Sequence, residues 1–438
     1  MERVIFLIDG EHYPPVVLDA MRSVREGLGA EGVAAAFLGG TEKLTDGADY
    51  GVPLVHAADP VSAVRKALSQ YSAEAVIDLS DEPVIGYRER MRIASMVLAA
   101  GAKYIGADFE LRPPELHPVS VKPSMAVIGT GKRVGKTAVS GYLARLLAEK
   151  GFDPGVVSMG RGGPPHPEVI EGHKLTVGSD YLLEALERGA HAASDYYETA
   201  ALSRVTTVGC RRCGGGLAGE PFVSNVLEGA KLANTLETGI TVFDGSGAAV
   251  PPVEVDRRIL VAGAHQDIEY IAGFLGTYRV LISDLLLLTM SEEPMADGRK
   301  VEEIVSRVRE IKPDIEIIPT VFRPRPVGDI SGLRVAYVST APPEVLSKLA
   351  DHLEEWYGCE VVGTSGNLSN RRRLVEDLAG MGDAEAYLTE IKAAAVDVVT
   401  RQGAEQGKPV LYCDNDPVGD GLDEALLDLA RKSTRTHD

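Results

Sequence analysis

The chain has 438 residues, 45% of them apolar and 25% charged, with a formal net charge of −19 at pH 7. That length exceeds what one hydrophobic core serves and predicts two or three domains, while so acidic a balance excludes general nucleic-acid binding and attachment to an anionic membrane surface. Four cysteines set up no disulfide framework, the most apolar stretch, VLISDLLLLTM (280–290), is too short to span a bilayer, and MERVIFLIDG breaks its short apolar run at Asp9, unlike a signal peptide, so a cytoplasmic protein is expected.

In chain order, RVIFLID (3–9) reads as a strand and VVLDAMRSVREGLG (16–29) as a helix, with Val17, Met21, Val24 and Leu28 at helical spacing. GVAAAFLGG (32–40), VPLVHA (52–57), AVRKALSQY (63–71), EAVIDLS (74–80) and MRIASMVLAAGAKYIGADF (91–109) continue the alternation. Strand–helix alternation predicts a parallel sheet covered by helices, with ligands at the carboxyl ends of its strands. Residues 1–121 are thus expected to form a Rossmann-like α/β domain. Asp9-Gly-Glu11-His12 and Asp78-Leu-Ser-Asp81-Glu82 fall at its strand ends.

RPPELHPVSVKPS (112–124) carries four prolines and reads as an extended linker. A second α/β core is expected over 122–330, opening with the strand MAVIG (125–129) and the helix TAVSGYLARLLAEKG (137–151). GVVSMG (155–160), ITVFDGSG (240–247), RRILVAGA (257–264), YRVLISDLLLLTM (278–290) and IEIIPTVF (315–322) read as strands, and VEEIVSRVREI (301–311) as a helix. Residues 331–438 read as a C-terminal α/β extension, with strands RVAYVST (334–340), EVVGTS (360–365) and PVLYCD (409–414) and a helix over YLTEIKAAAVDVVTRQGAE (387–405).

Between strand and helix stands GTGKRVGKT (129–137). A phosphate cradle needs inward-pointing backbone N–H groups, a helix N-terminus, a lysine for the β/γ-phosphates and a hydroxyl for Mg²⁺. Gly131, Lys132, Arg133, Val134, Gly135, Lys136, Thr137 and Ala138 supply these parts, with Lys136 as the reaching lysine and Thr137 as a metal ligand. Lys132 and Arg133 add cations of the kind that stabilise charge in phosphoryl transfer. Asp244, at the end of ITVFD, is the second expected Mg²⁺ ligand. Arg161 in GRGGPPHPE (160–168) and Arg211 with Arg212 in GCRRCGGGLAG (209–219) sit among glycines, where guanidinium forks suit phosphate oxygens. Cys210 and Cys213 lack a second ligand pair and read as ordinary thiols.

GTGKRVGKT (129–137) and FDGSGAAVP (243–251) together resemble the nucleotide core of dethiobiotin synthetase. LIDGEHYPPVV (7–17), DLSDEPV (78–84), MGRGGPP (159–165), GCRRCGGG (209–216), DGSGAAVPP (244–252) and FRPRPVGD (322–329) resemble the cyclic 2,3-diphosphoglycerate synthetase family over nearly the whole length. That resemblance implies ATP and Mg²⁺ as cofactors and 2,3-diphosphoglycerate as substrate, cyclised with release of ADP and phosphate. Lys132, Arg133, Lys136 and Arg161 are then the expected catalytic cations. Arg161, Arg211, Arg212, Glu11 and His12 are the expected substrate contacts. A homodimer without nucleic-acid or membrane partners is expected. The absence of any Asn-Lys pair counts against a guanine-specific GTPase.

Overall fold

A computed structural model describes residues 1–43, 47–174, 195–391 and 395–434. The chain forms two units. The first comprises Met1–Glu115, Gln266–Ser283 and Ile304–Asp314; the second comprises Leu116–His265, Asp284–Glu303 and Ile315–Asp438.

The first unit is built on a six-stranded sheet in the order Leu54–Val55, Glu31–Phe37, Arg3–Ile8, Ala75–Asp78, Lys103–Ile105, Glu110–Leu111. All neighbours are parallel except the last pair. Val4 to Ile8 are all buried, as expected of a strand covered on both faces. The helix Pro14–Leu28 buries Val17 and Met21 and ends at Gly29, whose φ of 61° closes it in the left-handed region. The later segments join this unit through specific contacts: Ser95 Oγ donates to the Phe274 carbonyl at 3.1 Å, and Arg88 pairs with Glu269 at 2.8 Å.

The second unit holds two sheets. The larger runs Val223–Ser224, Thr206–Cys213, Pro154–Gly160, Ile240–Asp244, Ser124–Gly129, Arg257–Gly263, Leu285–Thr289, Glu316–Pro319, with Glu168–Glu171 pairing off this path. Ser124–Gly129 is buried throughout and lies between Ile240–Asp244 and Arg257–Gly263. The helix Lys136–Glu149 covers the sheet with Val139, Leu143, Leu146 and Leu147; each such buried side chain contributes about 1.5–3 kcal/mol. The helix Leu422–Thr434 returns from the far end of the chain to the same core through Leu422, Leu426 and Leu429.

The smaller sheet runs Val321–Pro326, Val410–Val418, Ala386–Glu390, Arg334–Val338, Glu360–Ser365. Its first two strands are antiparallel, with Arg323 opposite Asp416 and Arg325 opposite Asp414.

Three expected elements differ. The run 315–322 divides into Glu316–Pro319, on the edge of the larger sheet, and Val321–Pro326, on the edge of the smaller one, with Thr320 between them. The run 278–290 divides into the helix Gly276–Leu281 and the strand Leu285–Thr289, because Ser283-Asp284 breaks it and Asp284 Oδ2 turns back to accept from the Arg258 backbone at 2.7 Å. Within 387–405, Ala386–Glu390 is a fully buried strand, and helical turns are described over Ala395–Thr400 and Arg401–Gln406. Apolar residues in a short buried run satisfy either period, and the pairing with Arg334–Val338 decides for strand. Among the described residues, no helix is long and apolar enough to cross a membrane.

Candidate nucleotide and phosphate site

The loop after Ser124–Gly129 is shaped by close approaches that only glycine permits. A Cβ on Gly129 would stand 2.7 Å from Lys136 Cδ, so the missing side chain gives the lysine its path across the loop. Lys136 Nζ donates to the Gly131 carbonyl at 2.8 Å. Gly135 has φ 86° and would set a Cβ 2.2 Å from Phe322 Cζ. Both the left-handed backbone and the aromatic ring therefore require glycine there. Val134 is fully buried, and its carbonyl accepts from Thr289 Oγ1 at 2.8 Å. Lys132 and Arg133 are exposed, and Arg133 is itself left-handed, with φ 64°. A non-glycine residue in that region costs energy, and such strain collects at functional loops.

Lys136, Thr137 and Ala138 open a 14-residue helix with no side-chain cap and no acidic residue in its first turn. Its free N–H groups and positive dipole end face the loop, which is the electrostatic condition for an anion.

Asp244 ends the neighbouring strand, paired in register with Val127 on one side and Ser158 on the other. It is buried, and its Oδ1 has no hydrogen-bond partner. Burial, reinforced by Asp195, raises its carboxyl pKa to about 8, against the pull of Lys136. Burial also lowers the Lys136 ammonium to about 8, opposed by Asp244 and Asp195 and assisted by Arg161 and Arg212. Both shifts state that this pair is short of solvation and of counter-charge. An orphaned carboxylate oxygen beside a hydroxyl-bearing helix start suits a hard divalent cation, which takes one or two protein oxygens and fills its remaining positions with water and phosphate. Among the described residues no group of three His, Cys, Asp or Glu side chains forms a protein-only cage.

The glycine turn after Asp244 receives the arginines. A Cβ on Gly247 would lie 2.5 Å from Arg161 Nη2 and 3.1 Å from Arg212 Nη2, so both guanidinium groups close on one point of the turn. Arg212 Nη2 donates to the Ser246 carbonyl and Nη1 to the Gly214 carbonyl, each at 2.7 Å, and its Nε is buried without a partner. Its pKa is lowered by burial and then by Arg161. Arg161 forms no ion pair among the described residues. Two guanidinium groups brought this close, with no ion pair to a carboxylate among the described residues, have the chemistry that suits an anion.

Arg211 is placed differently. It stands next to Arg212 in the strand Thr206–Cys213, so its side chain points to the opposite face and is exposed. The structure therefore brings Arg161 and Arg212 together and leaves Arg211 out. The same alternation separates Cys210, buried and pushed up to about 12 by that burial, from exposed Cys213.

Asp195 and Glu198 were not singled out from sequence. They open the helix Asp195–Ser203, which packs beside the helix Lys136–Glu149 and Pro154–Gly160. Asp195 acts on both Lys136 and Asp244, and Glu198 on Asp244. No local motif marks them; only the packing does.

Glu11 and His12 belong to the first unit. Asp9, buried at the end of Arg3–Ile8, accepts on Oδ1 from the Glu11 and His12 backbones at 3.0 and 3.3 Å and meets His12 Nδ1 at 2.8 Å. Its Oδ2 accepts from the Asp81 backbone at 2.7 Å. Asp78 is used by Tyr104, Ser80 and Arg90. Asp9 and Asp78 thus shape the strand ends, and Glu11 and His12 stand on the loop that Asp9 organises.

A parallel sheet carrying a glycine loop, a helix N-terminus with its lysine, and an acidic strand end next to it defines a P-loop nucleotide-binding α/β protein. Three family models match in succession: cyclic 2,3-diphosphoglycerate synthetase N-terminal domain over residues 3–112, P-loop domain over 124–321 and C-terminal domain over 326–416. The chain is 77% identical over 433 residues to cyclic 2,3-diphosphoglycerate synthetase of Rubrobacter xylanophilus, covering 99% of this chain and 98% of that one. It is 46% identical over 444 residues to the protein of the same name from Methanothermus fervidus, covering 98% and 96%. The chain belongs to the cyclic 2,3-diphosphoglycerate synthetase family. Among solved structures it is similar to LpxK from Aquifex aeolicus in complex with ATP, with 15% identity and a TM-score of 0.42 over 73% of this chain and 90% of that one.

Proposed function

We propose that this protein uses ATP to close 2,3-diphosphoglycerate into its cyclic anhydride, releasing ADP and inorganic phosphate. The observation that carries this reading is the convergence of Arg161 and Arg212 on Gly247, beside the strand end of Asp244 and the lysine loop. A second cationic centre beside the lysine loop suits a multiply phosphorylated acid bound next to the nucleotide.

In the first step an oxygen of one substrate phosphate attacks the γ-phosphorus in line. The bond from that phosphorus to the β-bridging oxygen breaks, and ADP leaves. The substrate now carries a pyrophosphoryl group. In the second step an oxygen of the other substrate phosphate attacks the substrate-side phosphorus of that anhydride. Inorganic phosphate leaves with the bridging oxygen, and the ring closes. Both attacking oxygens are already ionised near neutral pH, so neither step needs a dedicated base. The obstacle is repulsion among crowded phosphates, and catalysis is positioning and charge neutralisation.

Lys136 leaves the Gly131 carbonyl for the β/γ-phosphates, a short swing within one loop. Lys132 and Arg133 meet the γ-phosphate from the exposed side of the loop. Arg161 and Arg212 hold the substrate phosphates. Thr137 and Asp244 are the residues that would hold Mg²⁺, which supplies charge neutralisation of the triphosphate when bound.

The test is nucleotide turnover measured with ATP and with GTP, each with and without 2,3-diphosphoglycerate, with products followed by phosphorus NMR. ATP turnover that requires the phosphoglycerate and yields the cyclic product is expected. GTP preference without stimulation by the phosphoglycerate refutes the reading.

A further inference from the structure

The side of the helix Lys136–Glu149 that meets the strand Val410–Val418 carries charged and polar groups that the reaction does not use. Arg145 lies three turns along it and is largely buried. Its Nη1 donates to Asp414 Oδ2 at 2.5 Å, and its Nη2 donates to Asp416 Oδ1. Asp414 and Asp416 come from the strand Val410–Val418, whose alternation sets them on one face. Arg325, from the adjacent antiparallel strand, places Nε 3.2 Å from Asp416 Oδ2 and Nη2 3.7 Å from Asp414 Oδ2. One turn before Arg145, the Tyr142 hydroxyl donates to Asp423 at the start of the helix Leu422–Thr434.

The strand that carries Arg325 also carries Phe322, whose ring lies against Gly135 in the loop itself. The smaller sheet therefore holds the nucleotide loop and its helix at two points: Phe322 at the loop, and the two arginines and two aspartates along the helix. A partly buried ionic network of this kind is a poor source of net stability, since apolar side chains of similar volume often serve as well. What it fixes is geometry, because two planar forks reading two carboxylates allow one relative placement.

We propose that Arg145, Arg325, Asp414 and Asp416 are positioning residues for the nucleotide loop, setting from the C-terminal sheet the placement of the helix that presents Lys136. The inference rests on the nucleotide role given above to that loop. A loosened brace lets the loop's N–H groups and Lys136 drift from the phosphates, and nucleotide binding is expected to weaken by about tenfold, which is about 1.4 kcal/mol.

The experiment uses the full chain and titrates a fluorescent ATP analogue in the presence of Mg²⁺, with thermal unfolding recorded on the same samples. Arg145→Lys keeps the charge but cannot span both carboxylates. The fourfold neutral variant Arg145→Met, Arg325→Met, Asp414→Asn, Asp416→Asn leaves no buried charge unpaired. Both are expected to bind the analogue about tenfold more weakly, at temperatures where unfolding shows them fully native. Native variants that bind within twofold of the wild-type chain overturn the proposal and leave the network a structural one. Should the fourfold variant fail to fold, Arg145→Lys alone decides by the same criterion. A wild-type chain that binds no ATP analogue would instead remove the nucleotide reading itself.

Discussion

Replacing Gly135 with alanine tests the loop at its tightest point. At φ 86° an L-residue sits in the left-handed region, which costs roughly 1–2 kcal/mol. The new Cβ would also lie 2.2 Å from Phe322 Cζ, and ordinary contact begins near 3.4 Å, so the ring must retreat into a packed cluster. Overpacking of that kind costs roughly 1–3 kcal/mol. Together these give roughly 2–5 kcal/mol for Gly135→Ala. The assay is urea unfolding of the full chain, read through loss of bound ATP analogue, as a cycle with Phe322→Ala. Removing the ring makes room for the Cβ, so the double variant should recover roughly 1–3 kcal/mol relative to the sum of the single ones. The backbone share stays lost in both. Additivity within about 0.5 kcal/mol would show that the ring and the glycine do not constrain each other.

Other outcomes follow from the same geometry. Lys136→Ala is expected to lower turnover by at least about a hundredfold, as loss of a positioned transition-state charge does; single-turnover ATP cleavage measures it. Arg161→Ala and Arg212→Ala should each raise the KM for 2,3-diphosphoglycerate by tenfold or more, as the loss of a charge-assisted contact of about 1.5–3 kcal/mol does, while exposed Arg211→Ala leaves it within about twofold; equal effects at all three positions would refute the strand-face argument. The Asp244 carboxyl is raised to about 8 and must ionise to hold a cation. Mg²⁺ affinity should therefore climb about tenfold per pH unit below 8 and level off above it, and Asp244→Asn should abolish the slope. For the metal-free fold the sign is opposite: the raised carboxyl keeps a proton that the unfolded chain has lost, so stability falls as pH rises from the ordinary carboxylate range to about 8.

The loop was legible because its parts are contiguous. Gly129, Gly131, Gly135 and Lys136 lie within eight residues, and strand, loop and helix can be read from local pattern. Asp244 was legible because it ends an apolar strand before a glycine turn. Arg211 and Arg212 looked equivalent because sequence adjacency carries no face; only pairing in a sheet puts them on opposite sides. Asp195 and Glu198 left no signal, since their charge matters only once their helix packs against the loop's own. Phe322 was visible as an aromatic among prolines, but its place against Gly135 depends on a strand nearly two hundred positions away. The run 278–290 misled because a mostly apolar segment fits a buried strand and a buried helix alike, and Asp284, which breaks it, turns back to a partner 26 residues distant.

The helix Leu422–Thr434 lies in the same apolar core as the first strand of the P-loop sheet, some three hundred positions earlier. During synthesis the nucleotide loop therefore emerges long before the side chains that close the floor beneath it. Nascent chains halted between Thr137 and Leu422 should carry the motif yet lack a settled site, and so be poor consumers of ATP and ready substrates for proteolysis. Competence for a phosphoryl reaction is thereby tied to the arrival of residues that lie in the core and not at the loop.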